Sequence, residues 1–323
     1  MSIVVQKSGI LDTFQDTGRA GFAAIGVNPG GAMDTLAMQT ANALVGNPLN
    51  EATLELHFPA SVLHFEKAAL IAICGADFDV QVNGISLPIN KTIFITPDTI
   101  LHFTHKNWGE RCYLAVRGGF NVPEWLGSKS ANLKLGNTGF LSNPLKKGER
   151  IQFKQPCHNF FNEVHAFTWK ANFSAWYDVP EIINITYGPE YNYLSINSKE
   201  VFISSLYEIK ASSDRMALNM DGKLLEQENK SELLSSAVCF GTIQLPGHGL
   251  PVVLMADHQT TGGYPRIAQV ITAHLPKLSQ LSAHQKIRFV HTSFATAESL
   301  LLSQYEEIAI LQQGILLKLT DLL

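Results

Sequence analysis

Between residues 62 and 116 the chain passes from one short run of alternating side chains to the next, and few folds accept that pattern. Val62, His64 and Glu66 alternate with Leu63 and Phe65; Phe78, Val80 and Val82 alternate with Asp77, Asp79 and Gln81. Further runs at 92–95, 100–104 and 111–116 are each bounded by Pro, Gly, Asn or Asp. A period of two is the signature of a strand with one buried face, and strands following one another without intervening helices predict an antiparallel sandwich or barrel. Asn83-Gly84 marks a hairpin, because both central residues of a type I′ turn need positive φ.

Two segments depart from this pattern. Met33, Leu36, Ala37, Thr40, Ala41, Leu44 and Val45 recur at helical spacing, with Asp34 at the start and Gly46-Asn47-Pro48 as a stop; the spacing predicts one amphipathic helix. A second helix is predicted from about Phe294, with Ala297, Leu301, Tyr305, Ile308 and Leu311 on one face behind a Thr292-Ser293 cap. Neither periodicity holds over 155–175, which reads as a connection between halves. The expectation is therefore a mostly β protein of two barrel-like halves with a few peripheral helices. The first half, 1–160, holds one amphipathic helix, and the second, 161–323, ends in the C-terminal helix.

Of the 323 residues 46% are hydrophobic and 16% charged, with a net charge of -4. That suffices for a sizeable core and provides no basic field for nucleic acid or an anionic membrane. The N-terminal residues lack the positive start and long apolar centre of a signal peptide, and no apolar run is long enough for a membrane span. Cys74, Cys112, Cys157 and Cys239 lie far apart with no Cys-x-x-Cys pair, which predicts neither a disulfide framework nor a zinc site. A reduced, cytoplasmic protein without a bound metal is expected.

Polar groups gather in three places. The strand-like run 251–256 opens into Asp257-His258-Gln259-Thr260-Thr261 and Gly262-Gly263-Tyr264-Pro265-Arg266, polar groups on a loop held by a rigid element. Near the N-terminus Gln15, Asp16 and Arg19 cluster around glycines. There Arg19 either grips a carboxylate or phosphate through its fork, or pairs with Asp16 to pin the loop. The Gly-, Ser- and Asn-rich loop 127–139 carries Lys129 and Lys134; Lys134 is directed into a cleft or is a solvated charge. A phosphate-binding Gly-x-x-x-x-Gly-Lys loop, a Gly-x-Ser-x-Gly elbow and a His-Glu-x-x-His pair are all missing, as is an Ala-Met-Lys-Met setting for a covalently attached biotin. An activated substrate would then be activated or carried by another chain.

Three segments together resemble one family. They are 9–55, with QDTGR, GVNPGGAMD and ANALVGN; 113–136, with LAVRGGF and LKLG; and 212–271, with SDRM, GTIQLP and LMADHQTTGGYPRIAQVI. In order and spacing they resemble the KipA or allophanate-hydrolase-subunit-2 family, also described as the biotin-dependent carboxyltransferase family and, in bacteria, as the C subunit of 5-oxoprolinase. The resemblance implies tandem cyclophilin-like β-barrels. It implies an enzyme active only in a complex with two further subunits, one KipI-like (B) and one LamB/YcsF-like (A), which opens the lactam of 5-oxoproline to glutamate at the expense of ATP. A small amide or lactam is the implied substrate. Two other readings come with it: a KipA-type antagonist of a KipI-like kinase inhibitor, and a half-site that moves carboxyl from a separate biotinyl carrier to urea or a related amide.

By motif, the resemblance implies catalytic roles for Asp16, Arg19, Lys134 and Asp257, and substrate contacts from Gln15, Asp214, Arg215, Gln244, Gln259 and Tyr264. Arg19 or Arg215 would hold a substrate carboxylate, Lys134 would neutralise charge on the amide oxygen, and Asp257 would accept the amide N–H or orient a cation. Where the family usually has Arg-Met-Gly followed by an aromatic residue, Arg and Leu, this chain has Arg215-Met-Ala-Leu-Asn-Met220. Alanine at the glycine position implies a changed backbone angle, and the second arginine is lost.

Overall fold

The computed structural model describes residues 2–134, 139–157, 161–229 and 233–320. The chain is mostly β and divides into two compact units. One comprises Met1–Arg19, Gly30–Phe173 and Tyr305–Leu323, and the other Ala20–Pro29 and Ser174–Gln304.

The first unit holds two six-stranded sheets. One runs in the order Arg150–Gln152, Ser2–Lys7, Val62–Phe65, Thr99–Phe103, Val80–Val82, Ile85–Ser86; the other runs His165–Lys170, Lys91–Ile95, Ala69–Asp77, Trp108–Val116, Thr53–Leu56, Thr13–Gln15. Both send side chains into one core, where Ile3, Val5, Leu63, Phe65 and Leu101 meet Phe14, Leu54, Ile71, Ile73, Ile93 and Leu114. The second sheet is buried on its other face too, where Ala72, Cys74, Phe94, Tyr113 and Ala115 pack against helix α1 (Thr35–Leu44) through Ala37, Met38, Ala41 and Leu44. Burial on both faces explains why Ala69–Asp77 reads as a continuous apolar run rather than an alternation.

Local signals act where the sequence placed them. The Asp34 side chain caps α1 by accepting from the Ala37 N–H at 2.8 Å, and Gly46 follows with φ 70°. Asn83 and Gly84, at φ 52° and 77°, close the hairpin in which Val82 faces Ile85. The stretch 155–175 is not a plain connection, because His165–Lys170 is the edge strand paired with Lys91–Ile95. It hides from a periodicity reading because only Phe167 is buried among its six residues.

The second unit is a closed barrel in the order Ile182–Tyr187, Arg266–Val270, Thr242–Gln244, Val252–Leu254, Ala217–Asp221, Tyr207–Ile209, Lys286–His291. It closes through a parallel pair that sets Ile182 opposite Arg288 and Ile185 opposite His291. The short helix α2 (Ile196–Ser204) drops Phe202 against Tyr207 and Phe289, with ring centroids 6.3 and 5.2 Å away. A one-turn helix, α3 (Leu275–Ser279), follows the strand Arg266–Val270. The C-terminal helix α4 (Phe294–Thr320) starts where expected, the Ser293 hydroxyl accepting from the Thr296 N–H at 3.1 Å. Its buried positions are Gln304, Ile308, Ile315 and Leu319, while Tyr305, placed on the apolar face by its spacing, is 52% exposed.

Two buried titratable groups give opposite pH responses. Burial pushes the Asp12 carboxyl up to about 6 from its ordinary 3.8, against the hydrogen bonds it accepts from the Ser61 and His57 N–H groups. His274 accepts from the Asn184 N–H at Nδ1, and burial, helped by Lys277, holds the ring down at about 4 from 6.5. For Asp12 the stabilisation is complete below 3.8 and is lost as pH rises through about 6; for His274 it is complete above 6.5 and is lost as pH falls through about 4. Each shift corresponds to about 3 kcal/mol. On acidification from pH 7 to 5, protection from hydrogen exchange, corrected for the slower intrinsic rate at pH 5, should rise around Asp12 and fall around His274. Asp12→Asn should abolish the first response and leave the second, and a uniform change at both places would contradict the assignment.

Candidate active site

In the first unit the strand Thr13–Gln15 leads into a turn organised by Asp16. The Asp16 carboxylate accepts from the Gly18 N–H at 2.8 Å, the Ser128 and Ser130 hydroxyls at 2.6 Å each, and the Lys129 N–H at 2.7 Å. Its own N–H donates to the Ser130 hydroxyl at 2.9 Å. With these bonds Asp16 fastens the turn to loop 128–130. Arg19 is 1% exposed; its guanidinium donates to the Ser130 carbonyl and lies 5.0 Å from the centre of the Trp125 ring. As placed, Arg19 braces the loop.

Gln15, also 1% exposed, donates from Nε2 to the Thr13 hydroxyl at 3.0 Å, while its Oε1 accepts no hydrogen bond among the described residues. Lys134 is exposed, with its N–H bonded to the Asn132 side chain at 3.0 Å. The adjoining Leu135 and Gly136 of the LKLG motif lie outside the described residues. Lys129 turns the other way: its Nζ is 2.8 Å from one Glu51 oxygen while Lys154 sits 2.6 Å from the other. These two ammonium groups hold the Glu51 carboxyl below its usual range against the opposing effect of burial.

In the second unit Arg215 and Asp257 form a two-pronged ion pair, Nε to Oδ2 at 2.8 Å and Nη2 to Oδ1 at 3.0 Å, with side chains 5% and 12% exposed. The barrel sets this geometry. Ala217 pairs with Leu254, and the ladder continues past the strand ends as Met255 N–H donates to Met216 C=O and Asp257 N–H to Arg215 C=O, both at 2.8 Å. Arg215 and Asp257 are thus carried at one end of neighbouring strands. Asp257 thus occupies the Nε–Nη2 side of the Arg215 fork. The remaining lone pairs of a fixed, oriented carboxylate suit it to accept an amide N–H.

Asp214 does not face this pair. Its Oδ1 accepts from the Met216 and Ala217 N–H groups at 2.7 and 3.1 Å, closing the turn into the strand. Ala217, in the glycine position, is an ordinary strand residue opposite Leu254 and carries no strained backbone angle. Asn219, in the arginine position, bonds the Ser212 carbonyl of its own loop at 3.2 Å.

Gln244 lies opposite Val252, at the other end of the strand from the Leu254 side where Asp257 emerges. Three-residue strands span only about 7–10 Å, and the loop after Asp257 returns across that distance, setting Gln259 Nε2 3.5 Å from Gln244 Oε1. Gln244 Nε2 is 3.4 Å from the Tyr264 carbonyl. A Cβ on Gly262 would fall 2.4 Å from Gln244 Nε2, so glycine makes room for the glutamine. Tyr264, 53% exposed, faces an open cavity of about 760 Å³ that is also lined by Leu225, Gln227, Leu245 and His248.

Four contributors escaped the sequence reading: Trp125, Ser128, Ser130 and Glu51. The available signal is Ser128-Lys129-Ser130, two hydroxyls at i and i+2, a spacing that lets both reach a single carboxylate. Among the described residues no three His, Cys, Asp or Glu side chains are grouped as metal ligands, and no helix is long and apolar enough to cross a membrane.

Comparison with known proteins matches this architecture. Residues 25–291 fit the family model described as carboxyltransferase domain, subdomain A and B. The chain is 33% identical over 293 residues to the C subunit of 5-oxoprolinase from Escherichia coli (strain K12), covering 90% of this chain and 91% of that protein. It is 31% identical over 288 residues to the protein of the same name from Haemophilus influenzae, covering 89% and 90%. The crystal structure of the K. lactis urea amidolyase superposes with a TM-score of 0.86 at 27% identity over 96% of this chain, which spans only 20% of that much longer one. By the extent of these matches, the chain belongs to the carboxyltransferase domain family of subdomains A and B.

Proposed function

We propose that this chain is the C subunit of an ATP-dependent 5-oxoprolinase, converting 5-oxoproline, ATP and water to glutamate, ADP and phosphate together with two further subunits, one KipI-like (B) and one LamB/YcsF-like (A). The observation that carries the reading is the end-to-end likeness to two bacterial 5-oxoprolinase C subunits, which leaves no large part of either relative without a counterpart here. The geometry is compatible with it. Asp257, oriented by Arg215, receives the lactam N–H, and Gln244 and Gln259 supply amide groups close by. In the first unit Asp16 and Arg19 shape the turn that follows the strand carrying Gln15. ATP is turned over by the assembled subunits.

The test is reconstitution. This chain alone should be inactive, and the three subunits together should release ADP in proportion to 5-oxoproline consumed. A correctly assembled but inert trio would overturn the reading. A second reading, transfer of a carboxyl group to an amide, is favoured by the family description and by the fold shared with urea amidolyase. It requires a separate biotinylated carrier, so sensitivity of the reaction to avidin distinguishes it from the first.

A further inference from the structure

Glu55 and Tyr113 are buried polar groups with 0% exposure on the sheet face that α1 covers. Register aligns them: Thr13 lies opposite Glu55, Glu55 opposite Tyr113 and Tyr113 opposite Cys74, so all four side chains share that face. His57 Nε2 lies 3.8 Å from the other Glu55 oxygen, Oε1, yet a carboxylate is costly to bury, and an apolar pair of similar volume would fill the space without that cost. What the polar pair does is receive backbone N–H groups. Glu55 Oε2 accepts from the Met33 N–H at 2.9 Å and from the Tyr113 hydroxyl at 2.7 Å, and the same hydroxyl accepts from the Asp34 N–H at 2.8 Å.

Residues 30–34 are held from the other side by the Asp16 turn. Ala32 N–H donates to the Asp16 carbonyl at 2.8 Å. Gly31, at φ 98°, sits so close that an added Cβ would lie 3.0 Å from Gly18 N, 3.1 Å from Thr17 C and 3.2 Å from Asp16 O. Backbone against backbone leaves nothing flexible to give way. Residues 31–34 therefore form a spacer between two fixed supports, the Glu55–Tyr113 pair beneath and the turn carrying Asp16 and Arg19 above.

We propose that Glu55 and Tyr113 are positioning residues: by holding the N–H groups of Met33 and Asp34 they set the height of the 30–34 loop, and through its contact with the Asp16–Gly18 turn they fix Arg19 against Trp125. The consequence for turnover rests on the 5-oxoprolinase reading; the consequence for the turn does not.

The experiment labels the whole chain with 5-fluorotryptophan and follows the fluorine resonances of its four tryptophans, with that of Trp125 assigned by Trp125→Phe. Glu55→Gln keeps an oxygen able to accept both bonds, and the Trp125 resonance should stay in place. Glu55→Leu and Tyr113→Phe should move or broaden that resonance while Trp108, Trp169 and Trp176 remain unchanged. In the reconstituted assembly these two variants should lower kcat by about 10²-fold, as expected for a displacement near 1 Å, with Glu55→Gln close to wild type. A Trp125 resonance unmoved in Tyr113→Phe, which removes one oxygen and is the variant most able to fold, would overturn the proposal. So would movement of all four resonances together with loss of folded protein. If the wild-type assembly shows no 5-oxoproline-dependent turnover, the functional reading fails, and the Trp125 resonance still decides the positioning role.

Discussion

Asp257→Ala is expected to cost about 3–5 kcal/mol of unfolding free energy, because it strands a guanidinium that is 5% exposed and bound through two prongs. Arg215→Met should cost a similar amount by leaving the carboxylate without its partner. The double variant Arg215→Met with Asp257→Leu should recover most of the loss, since replacing both members of a buried pair with apolar side chains is often neutral or better. Under the proposed 5-oxoprolinase function its activity should be absent, because no acceptor remains for the lactam N–H. Denaturant titration of the three variants, with turnover measured in the assembly, separates stability from chemistry. Full turnover by the double variant would remove Asp257 from the site, and single variants costing less than about 1 kcal/mol would show the pair behaving like an exposed one.

Asp16→Ala should have the next largest effect. Four donors converge on that carboxylate. The two serine hydroxyls are free to rotate to other acceptors, whereas the Gly18 and Lys129 N–H groups are fixed by the backbone and would be left unsatisfied at about 1–3 kcal/mol each. A loss of about 3–4 kcal/mol follows, with faster hydrogen exchange over 128–131. Asp16→Asn, which keeps one accepting oxygen, should lose roughly half as much. An Asp16→Ala protein with unaltered exchange in that loop would show that Asp16 does not organise it.

The two variants probe different kinds of legibility. Asp16 and Asp257 were both singled out from glycine-flanked polar loops, and both carry dense hydrogen bonding. Their partners were only partly foreseen. Pairing of Asp16 with Arg19 was one expected alternative, because the two lie three residues apart. The carboxylate reaches across 112–114 positions of sequence to Ser128 and Ser130. Arg215 and Asp257, 42 positions apart, become neighbours only because their strands are adjacent in the barrel. Glu55 stood in a segment with no turn signal and no periodicity to single it out, and its role appears only when register places it opposite Tyr113.

The helix α1 and its Asp34 cap, the Asn83-Gly84 hairpin and the start of α4 depend on interactions within a few residues, so they are written in the sequence itself: spacing of apolar side chains, a short oxygen at the cap and positive φ at the turn. The mostly β architecture follows from the same local patterning repeated along the chain. Strand order, the closure of the barrel, the face of α4 that is buried and the partner of every buried charge were decided by tertiary structure. Each of these depends on which distant segments share a sheet or a core, and a period of two or of 3.6 states which face of an element is apolar without stating what lies against it.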